Sequence, residues 1–365
     1  MCHNLRYRWQ ADRRMIITFA CPSAPHPIGG VTALYEFANG LRRRGHEVHL
    51  FHGQFFGYRI DGLHDLSWFR FEPGIHHHIA DDETRELPEA DVFFGTGSAP
   101  ELGLPVLLVQ GSDMLYPWLE RSAFRTPCLK ICIASWLIDV GHRYGVPPEQ
   151  LSVVHMGIDH KRYRMQVPIE DRGPVISLLY HSHQAKGWEV AVRALEAARR
   201  RRPELLAVAF GTTRPVAPHV VPDWMTFLHN PTQEVLVGDV YNGSKVFLQA
   251  SDHEGFGFTA VEAMACGAAL VSTDNGGSRD YAFHGWTALL APPRDHELLA
   301  DHVVHLLEDD AMRRELAVNG QRYVQRFDWD RGAEALEGHL LLYVADPAAF
   351  QQPPRAELGG ASAIS

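Results

Sequence analysis

Two glutamates with seven residues between them, Glu254 and Glu262, sit in the stretch HEGFGFTAVEAMACG at 253–267. Carboxylates held beside a glycine turn can accept hydrogen bonds from sugar hydroxyls. The run KVFLQA at 245–250 reads as a buried strand, and 251–257 as a turn. Val261, Met264 and Ala265 recur at helical spacing, and Gly267 sits where a C-terminal glycine belongs before the next apolar run, AALVST at 268–273. The first backbone N–H groups of such a helix lack intrahelical partners and carry the positive end of its dipole, which suits a diphosphate. Gly255 and Gly257 let a ligand approach the main chain closely.

Each candidate has a plainer reading beside it. Thr259 and Glu262 fit a capping box, so Glu262 as ribose-diol ligand and Glu262 as helix cap both stay open. Most turn glutamates are solvated, and Glu254 alone says little. Lys186 sits in AKG, just before a helix, where a compact ammonium can meet phosphate or simply face water. Gly29 and Gly30 occupy the first strand-to-helix turn, where parallel sheets bind ligands and where tight turns also want glycine. Gln110 and Asp113 follow the strand VLLVQ at 106–110, a place for acceptor-binding groups. His76, His77 and His78 are adjacent, and adjacent residues rarely converge on one ion; with no carboxylate spacing to help, no metal is expected. GTGSAP at 95–100 lacks the third glycine of a dinucleotide fingerprint, which argues against a nicotinamide oxidoreductase.

The elements that must position these groups alternate. Strands are expected at 15–21, 46–52, 91–95, 106–110, 130–135 and 151–159, then at 205–211, 224–231, 245–250 and 268–273, with VISLLY opening the second series. Helices lie between them, the first with Val31, Leu34 and Leu41 on one face. This is an α/β pattern of two doubly wound parallel sheets facing one another across a cleft. The expected layout is an N-terminal extension over 1–14, a first Rossmann-like domain over 15–166 and a second over 167–326. A C-terminal helix over 327–346 and a disordered tail over 347–365 complete it. The break at 166/167 rests on MQVPIEDRGP, two prolines in mixed charge, read as a linker. Met15 is a candidate native start.

With 365 residues, 45% hydrophobic and 21% charged, the composition is that of a soluble globular chain long enough for two cores. A net charge of −10 disfavours nucleic acid as partner. Five scattered cysteines, no apolar run of membrane-spanning length and no signal-peptide core point to the cytoplasm, with at most peripheral contact at the inner membrane face. Trp118 and Trp136 are expected to pack within the first domain rather than line an acceptor site.

The glycine pair after the first strand, MGIDHKRY at 156–163, AKG at 185–187, HEGFGFTAVEAMACG, and TDNGG followed by Asp280 together resemble the retaining glycosyltransferases of family 4, which have the GT-B fold. The resemblance runs from Met15 to about Val344. It implies transfer of a hexose or deoxyhexose from a nucleotide-diphosphate sugar to a hydroxyl of a polysaccharide, a lipid-linked acceptor or a natural product. It makes Glu254 and Lys186 the catalytic pair, with Glu262 on the ribose. Phe256, Gly257, Phe258 and Thr259 would surround sugar and diphosphate, Gly29 and Gly30 would close on the diphosphate, and His229 and Asn230 would lie near the base. Family members commonly carry an arginine five residues before the lysine; this chain has His181 there, a weaker phosphate contact. Many also carry a histidine where this chain has Gln110, which cannot act as a general base. No carboxylate is placed for a covalent sugar ester. The resemblance therefore implies a front-face reaction in which the leaving diphosphate takes the acceptor proton, with no cofactor and no metal. A sugar-nucleotide epimerase of the same fold and a non-catalytic binding subunit are the alternatives.

Overall fold

The computed structural model describes residues 13–53, 59–79, 88–95, 102–112 and 117–351. Two compact units divide it: unit 1 runs to Gly157 and resumes at Trp329, and unit 2 is Ile158–Asp328.

Unit 1 holds a seven-stranded sheet in the order β3-β2-β1-β4-β5-β6-β7, every pair parallel. The strands are β1 (Ile16–Pro22), β2 (Glu47–Gly53), β3 (His76–Ile79), β4 (Val92–Phe94), β5 (Leu104–Val109), β6 (Leu129–Cys132) and β7 (Leu151–Val153). Helices α1 (Gly29–Arg43), α2 (Pro117–Arg125) and α3 (Trp136–Arg143) connect them. Parallel strands buried on both faces need continuous apolar runs, and Ile17, Phe19, Val48, Leu50, Val92, Leu129 and Ile131 are all fully buried. The final helix, Trp329–Ala345, packs on α1 so closely that a Cβ on Gly40 would stand 2.4 Å from that of Ala333. Glu337 on that helix accepts from His46 at 2.8 Å.

Unit 2 repeats the scheme with six parallel strands ordered β10-β9-β8-β11-β12-β13. They are β8 (Val175–Leu179), β9 (Leu206–Gly211), β10 (Met225–His229), β11 (Val246–Gln249), β12 (Ala269–Thr273) and β13 (Ala288–Ala291). Four helices cover the faces: α4 (Trp188–Arg201), α5 (Phe258–Ala265), α6 (His296–Glu308) and α7 (Asp310–Val324). A helical turn at Gln233–Val235 continues as a π-helix over Leu236–Tyr241. In both sheets the strand order reverses beside the first strand, between β1 and β4 and between β8 and β11, and the carboxyl ends of the strands at that switch are where open α/β sheets bind ligands.

The boundary differs from the expected 166/167. Residues 158–174 belong to unit 2 because buried polar groups fasten them there. Arg172 donates to the carbonyls of Val167, Tyr241, Ser244 and Cys266, and Asn242 Oδ1 accepts from the amides of Gln166 and Val167. The Ile158 amide donates to Phe327 O at 3.0 Å, so both ends of the unit meet. Proline and mixed charge marked a folded strap, not a linker. Strands β3 and β13 had not been expected. No helix of the described residues is long and apolar enough to cross a membrane.

Candidate functional site

At the switch point of unit 2, the loop after β8 and the loop after β11 are locked together. Gly187 adopts φ +67° and lies so close to the next loop that a Cβ would stand 1.9 Å from Ala250 O. The Asp252 amide donates to Ala185 O at 2.7 Å. That packing brings Lys186 to Glu254: Nζ donates to Oε2 at 2.7 Å, the ammonium half-buried and the carboxylate buried. Glu254 Oε1 accepts from Ser251 Oγ at 2.8 Å. Its backbone is fixed as well, donating to Asn275 O at 2.9 Å and accepting from Gly277 N at 3.1 Å. The TDNGG loop thus serves as a clamp on Glu254.

Helix α5 starts immediately beyond. Its N-cap is Gly257 at φ +94°, and no side chain caps it. A Cβ there would meet Tyr281 Oη at 2.4 Å, so conformation and space both demand glycine. The capping box weighed for Thr259 and Glu262 is not formed, because Thr259 lies inside the helix rather than at its cap. Glu262 points elsewhere and accepts from Tyr241 Oη at 2.8 Å. Burial pushes its carboxyl above the ordinary range, while the hydroxyls of Tyr241 and Tyr163 and the charge of Arg162 pull it back. Tyr241 is delivered by the π-helix, a distortion that recurs at functional positions.

His181 stands at the exposed end of β8, its Nδ1 accepting from the His183 amide at 3.0 Å. Desolvation, then the Lys186 ammonium, lower its pKa, so it is neutral at pH 7. His229 and Asn230 end β10, two strands out; His229 Nε2 bonds Thr212 O at 3.1 Å, and Asn230 is held at φ +46° by its amide bond to Gly211 O. The Phe256 ring is core, edge-on to Phe327 at 5.2 Å and Tyr281 at 5.8 Å. Phe258 opens α5.

In unit 1, Gly29 and Gly30 begin α1, and Gly30 abuts Gln110 past the end of β5: a Cβ on Gly30 would stand 2.8 Å from Gln110 Oε1. Asp113 lies outside the described residues. Trp118, expected to pack, is 68% exposed, on a broad hollow it shares with Arg121 and Arg125.

Sequence reasoning did not single out Ser251, Tyr241 or the Asp252–Arg294 ion pair at 2.8 Å. Ser251 was findable, three residues from Glu254 in the same turn. Tyr241 was not, since it lies 21 positions before Glu262 in the chain.

Residues 159–323 match the family model described as glycosyl transferases group 1. That match spans almost all of unit 2. Among curated relatives, the D-inositol 3-phosphate glycosyltransferase of Xylanimonas cellulosilytica is 27% identical over 54% of this chain and 52% of its own length. The glycogen synthase of Mycobacterium tuberculosis is 26% identical over 81% of this chain and 71% of its own. The chain spans about half the length of the inositol phosphate enzymes it matches. A solved structure of Anabaena HepE with UDP-glucose aligns with TM-score 0.67 at 18% identity, over 92% of this chain and all of that one. The fold is GT-B, two doubly wound α/β units.

Proposed function

We propose that the protein is a retaining glycosyltransferase that moves a sugar from a nucleotide-diphosphate donor to an acceptor hydroxyl. The observation that carries this reading is the Lys186–Glu254 pair, 2.7 Å apart at the switch point of unit 2 and beside the N-terminus of α5, which no side chain caps. A buried carboxylate matched to a single movable ammonium is primed for exchange. When a diphosphate arrives, it takes the Lys186 ammonium and the positive end of α5, and Glu254 turns its freed oxygen to sugar hydroxyls. Ser251 and the TDNGG clamp keep the carboxylate in place through that exchange.

In this reading the chemistry is electrostatic. The departing diphosphate, held by Lys186 and backbone N–H groups, accepts the proton of the incoming hydroxyl on the same face of the sugar ring. Lysine and helix dipole supply the positive charge, so no metal is called on at this site. Glu262, fixed by Tyr241, is assigned to the ribose diol, and His229 and Asn230 to the base. Gln110, beside Gly30, is the candidate acceptor contact in unit 1; it can orient a hydroxyl but not deprotonate it.

The relatives act on an inositol phosphate and on glycogen, and HepE binds UDP-glucose. A sugar acceptor and a uridine or related donor are therefore the first to try. A thermal-shift panel of UDP-, GDP-, ADP- and dTDP-sugars identifies the donor, since a ligand that binds only the folded chain raises its melting temperature. Incubation with that donor, with and without sugar acceptors, then tests the reaction. A product with the donor's anomeric configuration is expected; an epimerised sugar nucleotide formed with donor alone would replace transferase by epimerase, and no stabilisation by any donor would remove both.

A further inference from the structure

The strongest chemistry left unused gathers at the open edge of the unit 1 sheet. β3 is the edge strand and pairs with β2 in the register His49↔His76, Leu50↔His77, Phe51↔His78. Side chains alternate along a strand, so the histidine triplet divides between the two faces. His77 joins His52, Nδ1 to Nε2 at 2.9 Å, and His52 Nδ1 continues to Ser23 Oγ at 2.8 Å, a closed hydrogen-bonded chain. His76 and His78 go to the other face, where β2 contributes Glu47 and His49.

There Glu47, His49 and His76 each offer a ligand atom within 4.8 Å of the others. His49 Nε2 and Glu47 Oε1 are 3.3 Å apart, close to the spacing of two ligands on one tetrahedral ion. His49 Nδ1 is 2.9 Å from His78 Nε2. Without an ion, His49 Nε2–H donates to Glu47; an ion that took the Nε2 position would leave the proton on Nδ1, where it donates to His78, as an outer partner sets the tautomer of a metal-binding histidine. We propose that Glu47, His49 and His76 form a binding site for a divalent transition ion of the zinc type, with His78 as the group that orients His49.

The donor set selects the class of ion. Two imidazoles and one carboxylate suit zinc, cobalt or nickel, whereas magnesium and calcium want oxygen alone. Arg14 already bonds the other Glu47 oxygen at 3.0 Å, which lowers the attraction of the carboxylate for a hard cation and leaves imidazole to dominate. Exposed His76 gives the ion a way in from solvent. The absence of a metal expected from three adjacent histidines followed from looking along the chain; the partners come from the neighbouring strand. An ion here would fasten edge strand β3 to β2 and so stabilise unit 1.

The test uses the whole protein, stripped with chelator and titrated with Zn²⁺ by calorimetry and with Co²⁺ by visible absorption. One Zn²⁺ per chain is expected, with a rise in melting temperature that Mg²⁺ does not reproduce. Co²⁺ should give a spectrum of nitrogen and oxygen ligation without a thiolate charge-transfer band. His76→Ala, at an exposed position, and Glu47→Gln should each weaken binding about tenfold or more. His77→Ala, on the opposite face, should leave stoichiometry and affinity as they are. Absence of saturable Zn²⁺ binding, a thiolate band, an equal response to Mg²⁺, unchanged affinity in both His76→Ala and Glu47→Gln, or equal loss in His77→Ala would each overturn the proposal.

Discussion

The two units have the same strand order about their switch points, yet they equip those switch points differently. Unit 2 places a charged pair there, Lys186 and Glu254, with Ser251 and the TDNGG loop behind it. Unit 1 places two glycines and a neutral amide, Gly29, Gly30 and Gln110. A cluster of titratable side chains lies instead at the sheet edge, in the histidine ladder between β2 and β3. The same topology offers the same location for a ligand, but among the described residues the charge that could hold a diphosphate stands at the unit 2 switch point. Fold decides where a site can be; the side chains at the strand ends decide what it can do.

Removing charge should therefore hurt far more in unit 2 than removing the amide in unit 1. Each charge-assisted hydrogen bond contributes roughly 1.5–3 kcal/mol, so Lys186→Ala and Glu254→Ala are each expected to lower transfer about a hundredfold, with the circular dichroism of the wild type retained. Gln110→Ala should cost about tenfold or less. Steady-state transfer assays on the three variants check this, and a Gln110 defect as deep as that of Lys186 would break the contrast.

Backbone constraint separates the two switch points in the same direction. Gly257 is held at φ +94° with Tyr281 Oη and Gln249 in the way of any side chain. Gly257→Ala should destabilise by about 2–3 kcal/mol and lower the melting temperature accordingly. At Gly30 a new Cβ meets only the flexible end of Gln110, so Gly30→Ala should stay within about 1 kcal/mol of wild type. Equal losses in thermal unfolding would mean that the unit 1 turn is as tightly built as the unit 2 turn.

How far the sequence foretold this architecture varied with the kind of signal. Buried parallel strands write themselves as apolar runs, and VISLL, VFLQ and ALVST were placed to within a residue or two. β3 escaped because its residues are histidines, whose burial depends on ring-to-ring hydrogen bonds that no hydropathy pattern carries. The unit boundary was misplaced because Arg172 and Asn242 find partners 69 and 76 positions away in sequence. In the candidate site, Lys186 and Glu254 were named by motif, but their contact depends on Gly187 packing under Ala250, a tertiary fact. The sequence leaves Glu262 open as cap or ligand, and Gly257 as the actual cap takes away the first reading.

His181 offers a milder change within unit 2. Its lowered pKa makes it neutral at pH 7, whereas a bound diphosphate favours the protonated ring. Donor KM should accordingly fall as pH drops below the ordinary histidine value of 6.5, where the ring begins to take up its proton. His181→Arg supplies a permanent charge; it should lower KM by about fivefold at pH 7, roughly 1 kcal/mol, and abolish the pH dependence. An unchanged KM with the same pH profile would take His181 out of the donor site.

The smallest expected effect concerns the second glutamate. Burial raises the pKa of Glu262 above the ordinary 4.5, and the folded carboxyl thus holds its proton more tightly than the unfolded chain does. Its contribution to stability is fully present below pH 4.5 and is lost as pH rises through the raised folded value. Glu262→Gln keeps an oxygen for Tyr241 but has nothing to titrate. Urea unfolding over a pH series should show the variant matching wild type in acid and gaining on it toward neutrality. If wild type gains instead, the hydroxyls of Tyr241 and Tyr163 and the charge of Arg162 outweigh burial, and Glu262 is ionised in the folded protein.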